Sequence, residues 1–370
     1  MLVFLPAELL TWLLMIFTPS VELLLVSRFL LGFFVGGMAP AAFTYVIEIS
    51  DKDHRGALSS IVDLVRNSGM LLVYVLESLT LTWRMMAVIC ACLSTIIPFI
   101  LLIFLPDSPR FLVFKKEIDL ARNALKIFRG RNFDIEPELK EIVEQLDKAE
   151  SQGTIIDQVY QLKKLENFKI FILLALLTFI AQFTGNFIVI NYTVPIFQAS
   201  NTGIDSYTSA IIIGVVRLLG TIAYIFVIDR FGRRVIFIVS FLVLATSGSI
   251  FGVYFFLQSQ AYDVNNLGWL PLTCLVVFAF FSCTGHPVIT VLMGELLPTS
   301  VRSLGFNLLA SNMFLGTFAV SQTYPTFVSA LGVYGTFWLY SCCSVLLTIF
   351  VAILVPETNN KSLEEIQNKK

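Results

Sequence analysis

The feature that most constrains this chain is a series of ten apolar runs, at about 1–18, 21–46, 57–81, 83–105, 168–197, 207–228, 234–257, 268–293, 303–324 and 334–355. Crossing a hydrocarbon core about 30 Å thick takes roughly 20 apolar residues in a helix, and each run approaches or exceeds that length. A soluble core needs no such uninterrupted stretches. Composition points the same way: 56% of residues are hydrophobic and 14% charged, against about 25% charged in ordinary soluble domains. The expected fold class is an all-α membrane protein with about ten transmembrane helices.

The few charges are informative by position. Basic residues fall in alternate connections: Lys52 and Arg55, the segment 106–167, Arg230, Arg233 and Arg234, Arg302, and Lys361, Lys369 and Lys370. Arg84 is the exception. The positive-inside rule then puts these connections and both termini in the cytoplasm. The net charge of −1 gives no reason to expect a nucleic-acid partner. All six cysteines lie inside apolar runs, with no metal-ligand spacing around them. Segment 106–167 is the one sizeable polar stretch, and in PELKEIVEQLDKAE the residues Leu139, Ile142, Val143 and Leu146 form one apolar helix face. Short cytoplasmic helices are predicted there.

An internal repeat organises the chain. Glu48 and Arg55 in YVIEISDKDHRGAL reappear as Glu295 and Arg302 in LMGELLPTSVRSLG, seven positions apart in each case, with an offset of 247. Pro106 in LPDSPRFL reappears as Pro356 in VPETNNKSLEEI, with an offset of 250. Such a period suits two parallel transporter halves. The second half has six runs and the first has four. The counterpart of DRFGRR (229–234) would fall before Met1, so the expectation is a twelve-helix architecture without its first two helices. The domains expected are an incomplete N-terminal half (1–105), a cytoplasmic helical linker (106–167), a six-helix C-terminal half (168–355) and a cytoplasmic tail (356–370).

In order and spacing, DRFGRR, EISDKDHRG, PDSPRFL, GELLPTSVRSLG and PETNNKSLEEI resemble the signatures of the sugar porter family of the major facilitator superfamily, over essentially the whole chain. NSGMLLVYV followed by TWR, and MGELLP with VRS, are most similar to insect facilitated trehalose transporters. The resemblance implies a major facilitator fold. It also implies a gating network at the cytoplasmic face, made by Glu48, Arg55, Asp229, Arg233, Arg234, Glu295, Arg302 and Glu357. Single surface ion pairs contribute only about 0–1 kcal/mol, so a network is needed to bias two states.

The same resemblance supplies candidate sugar-binding residues. In AQFTGNFIVINYTVPIF, Gln182, Thr184 and Gly185 match the family's glutamine, serine and glycine, while Phe187 stands where asparagine is usual and Asn186 sits beside it. Asn191 and Tyr192 match paired aromatic positions, and Asn312 matches an asparagine of the eleventh span. Helical spacing would bring Gln182, Asn186 and Tyr192 to one side. Thr290 replaces a tryptophan, Ile289 a proline, Asp63 a glutamine and Arg217 an asparagine. Charges at that depth are costly and mark function. Asp63 and Arg66 are placed to neutralise each other on one helix face. Two readings of Arg217 stay open: it faces the central cavity and shifts substrate choice toward an anionic solute, or it pairs with Asp63 across the bundle. His286, before Pro287, reads as a packed residue or helix break rather than a proton relay.

The function expected is facilitative transport of a hexose or trehalose-like disaccharide by alternating access, at the plasma membrane. The partners expected are a small-molecule sugar and the lipid bilayer, with no cofactor. The alternative is a non-transporting sugar sensor or an inactive truncated relative. No histidine cluster, nucleophile elbow or phosphate loop favours an enzyme.

Overall fold

A backbone surrounded by lipid must satisfy its own N–H and C=O groups, and within one apolar segment only the α-helix does so. The computed structural model, which describes residues 2–50, 55–130, 135–150, 155–200, 204–298 and 301–355, is accordingly helical and has no strand among those residues. In chain order the helices are α1 (Phe4–Phe17), α2 (Val21–Ile49), α3 (Arg55–Ser78), α4 (Trp83–Ala91), α5 (Ile97–Phe104), α6 (Pro109–Phe114), α7 (Ile118–Arg129) and α8 (Glu136–Glu150). They continue as α9 (Ile155–Leu162), α10 (Leu165–Gln182), α11 (Asn186–Asn191), α12 (Thr193–Ser200), α13 (Ser206–Phe231), α14 (Arg233–Ser259), α15 (Leu270–Leu296) and α16 (Arg302–Leu354). A π-turn, Cys92–Ile96, joins α4 to α5.

Among the described residues, seven helical segments are long and apolar enough to cross a membrane. The differences from the ten expected runs have physical causes. Run 1–18 forms the 14-residue α1, which at 1.5 Å per residue reaches only about 21 Å. Run 57–81 forms the 24-residue α3, long enough but diluted by Asp63, Arg66 and Glu77. The last two runs are two helices that meet at a kink at Gly332, φ 70° and ψ 172°, and are taken together as α16.

The helices group into two compact units, residues 1–66 with 75–152, and residues 67–74 with 153–370. In the first, α1 packs on α2 and α4. Glu8 of α1 is buried there, its carboxylate accepting from Trp12 Nε1 at 3.4 Å and from Thr95 of the π-turn at 3.4 Å. The predicted polar helices also form. Leu139 and Ile142 of α8 bury against Leu112 and Val113 of α6 and Ala121, Ala124 and Leu125 of α7, with Val143 packed at the margin. The side chain of Leu146 lies outside the described residues. Arg129 fastens this cluster, pairing with Glu138 at 2.7 Å and donating to the carbonyl of Ile49, at the end of α2, at 2.9 Å.

In the second unit α14 packs against both α15 and α16, α13 against α15, and α10 against α16. Lipid tails are as apolar as leucine, so dispersion and close backbone approach hold such helices together. At Gly220 a Cβ would lie 2.8 Å from the Phe280 carbonyl oxygen, which is why α13 and α15 can meet so closely. Outward-facing residues are large and apolar: Phe314 is 71% exposed and Ile353 74%, a liability in water but suited to lipid. Residues 67–74 of α3 belong to this unit through Tyr74, which packs on Val194 and Ala210 and donates to the Ile190 carbonyl at 2.6 Å. At the head of α13, Asp205 caps the helix by accepting from Thr208 N at 2.8 Å, and that bond holds its carboxyl below the usual range.

Residues 165–200 form three helices rather than one. The chain leaves α10 at Phe183, and Gly185 adopts φ +87° before α11 begins. A Cβ at Gly185 would also meet Tyr340 Cδ2 at 2.9 Å. A left-handed non-glycine residue costs about 1–2 kcal/mol, so Gly185→Ala should lower the detergent melting temperature by several degrees. Gly69→Ala, in a helix with open space around it, should leave melting unchanged or raise it slightly. Equal melting of the two variants would show that the Gly185 turn carries no such strain.

Candidate functional site

The break at Gly185 decides what the polar residues around it face. A helix running on from Gln182 would stack Asn186 one turn above it, and the expectation of one shared face rested on that spacing. The left-handed residue between them turns the two amides to different neighbours, and a second irregularity at Tyr192 (φ −116°) separates it from both.

Gln182, half-buried at the end of α10, bonds toward α16: its Oε1 accepts from the Thr317 hydroxyl at 3.2 Å, while its Nε2 donates to the Thr178 carbonyl at 3.1 Å. Asn312 of α16 answers from the other side, its Nδ2 donating to the Ala175 carbonyl at 2.8 Å and to Thr178 Oγ1 at 2.9 Å. The separate candidates Gln182 and Asn312 are thus brought together at one helix seam, joined by Thr178 and Thr317, which sequence reasoning did not single out.

Asn186 faces α13 instead. Its Oδ1 accepts from Arg217 Nη1 at 3.1 Å, and the same nitrogen donates to Ser282 Oγ of α15 at 3.1 Å. Arg217 Nε lies 3.4 Å from Asn67 Oδ1, and Asn67 Nδ2 donates to Thr221 Oγ1 at 3.0 Å. Four elements, α3, α11, α13 and α15, therefore meet on one guanidinium, which is 6% exposed. Arg217, for which pairing with Asp63 was one of the two readings, takes neutral acceptors, and Asp63 pairs with Arg66 at 2.8 Å on its own helix. The reason is reach along a single turn for Asp63, and three convergent amide and hydroxyl oxygens for Arg217. Asn67 and Ser282 went unnoticed in the sequence, although a polar residue inside an apolar run was the signal available.

The other candidates fall elsewhere. Asn191 is exposed and donates to the Phe187 carbonyl at 2.9 Å. Tyr192 packs against Tyr324 at a ring separation of 4.6 Å, in a cluster with Ile188, Val320 and Tyr340. Thr290 is exposed on α15. His286 is packed, as its sequence suggested: its ring lies 5.1 Å from that of Phe241, Nδ1 is 3.1 Å from the Ser282 carbonyl, and Nε2 is 3.2 Å from Thr184 Oγ1. α15 runs unbroken through Pro287.

Of the gating candidates, Arg233 and Glu295 form an ion pair at 3.4 Å, α14 to α15. Its atoms do not meet hydrogen-bond geometry, so the attraction is Coulombic rather than directed. Arg234 donates to the Ala352 carbonyl, and Arg302 to the Leu297 carbonyl at 3.3 Å. Glu48 accepts from Ser108. The side chains of Arg55 and Asp229, and Glu357 altogether, lie outside the described residues. A double-mutant cycle with Arg233→Gln and Glu295→Gln should return a coupling of about 1 kcal/mol, read from melting at low salt and shrinking at high salt. A coupling of zero at low salt would mean that the two charges ignore each other.

The sequence of residues 9–369 matches the profile of the family described as "Sugar (and other) transporter". A facilitated trehalose transporter homologue of Drosophila simulans is 37% identical over 352 residues, covering 95% of this chain and 71% of that protein. A facilitated trehalose transporter of Aedes aegypti is 35% identical over 364 residues, covering 97% of this chain and 44% of its own length. In structure, the chain is similar to the proton:xylose symporter XylE, with a TM-score of 0.73 at 24% identity over 100% of this chain and 83% of that one. An inward-open XylE from E. coli gives a TM-score of 0.78 at 22% identity, over 99% and 82%. At those identities the likeness speaks for the fold, which is that of the major facilitator superfamily. With apolar helices of membrane-crossing length, this fold and a profile match over nearly its whole length, the chain is an integral membrane protein that belongs to the sugar (and other) transporter family.

Proposed function

We propose that the chain moves a sugar, a hexose or a trehalose-like disaccharide, across a membrane by alternating access and without proton coupling. The family supports transport, and the names of the insect relatives support both the sugar and the facilitative mode. The observation that carries the reading is the amide seam of α10 and α16. After its two bonds to α10, Asn312 has a carbonyl oxygen without a hydrogen-bond partner among the described residues, and Gln182 is half-buried rather than sealed. A sugar hydroxyl both donates and accepts, so amides set on apolar helices suit it. A polar solute group left unpaired on closure costs about 1–3 kcal/mol, which gives such amides their discrimination.

The plasma membrane is the proposed location, with both termini in the cytoplasm according to the distribution of Lys and Arg. The paired carboxylate and guanidinium at Glu295 and Arg233 serve in this reading as a latch that opening must break. The chain works without a cofactor and makes or breaks no covalent bond in its solute.

Reconstituted into vesicles, the chain should take up labelled glucose or trehalose saturably, at a rate unaffected by a protonophore. Asn312→Ala and Gln182→Ala should each lower kcat/KM about tenfold, the equivalent of one lost hydrogen bond near 1.4 kcal/mol. Uptake of both sugars at the rate of protein-free vesicles would refute the proposal.

A further inference from the structure

Arg217 sits eleven residues into the 26-residue α13, far from either end of a membrane helix. A guanidinium at that depth is costly unless something offsets its charge. Its hydrogen-bond partners, Asn186, Ser282 and Asn67, are all neutral. They solvate the cation without cancelling it.

The bonding also fixes which atoms remain free. Arginine only donates, so the amide atom of Asn186 facing it must be oxygen, and the Asn186 NH2 is turned away. Arg217 uses Nε and Nη1 on its neighbours, and Nη2 has no hydrogen-bond partner among the described residues. Nη2 is not among the sealed atoms that lack a partner, so the small exposed part of this residue includes it. The node therefore presents two donors, Arg217 Nη2 and the Asn186 NH2, together with a positive charge. A neutral hydroxyl would accept from it and leave the charge standing. A carboxylate is acceptor-only, carries the missing charge and accepts from a charged N–H through shorter, stronger bonds.

Resting on the transport reading above, we propose that Arg217 and Asn186 form a subsite for an anionic sugar, a pyranose bearing a carboxylate, and that Arg217 is the residue that sets this preference. The carboxylate of such a solute suits the two donors left over at the node, Arg217 Nη2 and the Asn186 NH2. A mere strut holding α3, α11, α13 and α15 together would be indifferent to the charge of the solute.

The test compares glucuronate with glucuronamide, which has the same shape without the charge, and with glucose. Transport into vesicles and ligand-induced melting shifts in detergent are both read, so the subsite is tested even in a chain that does not transport. Glucuronate should be favoured over glucuronamide about tenfold in kcat/KM and give the larger melting shift. In Arg217→Gln that ratio should fall to about one, and Arg217→Lys should restore part of it. Asn186→Ser, which leaves the cation in place, should reduce the preference without abolishing it. Equal handling of glucuronate and glucuronamide by the unaltered chain, in uptake and in melting, would overturn the inference while leaving sugar transport standing. So would an Arg217→Gln variant that folds and keeps the acid preference. If no sugar, charged or neutral, is taken up, the transport reading fails, and the melting shifts alone decide the subsite: a larger shift with glucuronate supports it and equal shifts overturn it.

Discussion

The apolar helices of this protein answer to one constraint, that a peptide group facing lipid must find its hydrogen bond within its own helix. Three departures from helical geometry stand out among the described residues of these helices. The turn at Gly185 separates Gln182 from Asn186. The π-turn at Cys92–Ile96 brings Thr95 within reach of the Glu8 carboxylate. Gly332 divides an element long enough to cross a bilayer twice.

In the second unit, two groups of polar side chains connect one helix to another. Thr178, Gln182, Asn312 and Thr317 join α10 to α16, while Asn67, Asn186, Arg217, Thr221 and Ser282 join α3, α11, α13 and α15. Groups of this kind serve two ends. Each bond satisfies a group that would otherwise be stranded in an apolar medium, and each fixes the orientation of whatever donor or acceptor is left over. A solute-binding surface in a membrane protein arises from those leftovers, which is why the same residues tie the helices together and are candidates for recognition.

The charged residues at the helix ends behave differently. Arg234 and Arg302 bind backbone carbonyls, Arg129 combines a carboxylate with a carbonyl, and Arg233 meets Glu295 by charge alone. Carbonyl contacts complement the unsatisfied C-terminal ends of helices and the negative pole of their dipoles. An undirected ion pair tolerates small displacements and screens with salt.

Membrane residence, the helical class and the family were legible in the sequence, because apolar runs and signature loops are local properties that survive without a partner. The apolar face of α8 was legible for the same reason, since Leu139, Ile142 and Val143 share a face at helical spacing whatever covers them. The partners of Arg217, the separation of Gln182 from Asn186 and the packing of Tyr192 on Tyr324 were decided by tertiary structure alone. A single left-handed glycine rotates everything beyond it, and no periodicity reports such a rotation. Whether a polar side chain in an apolar run meets a solute, a helix or another side chain depends on which helices come to lie beside it, and that is fixed by packing rather than by spacing along the chain.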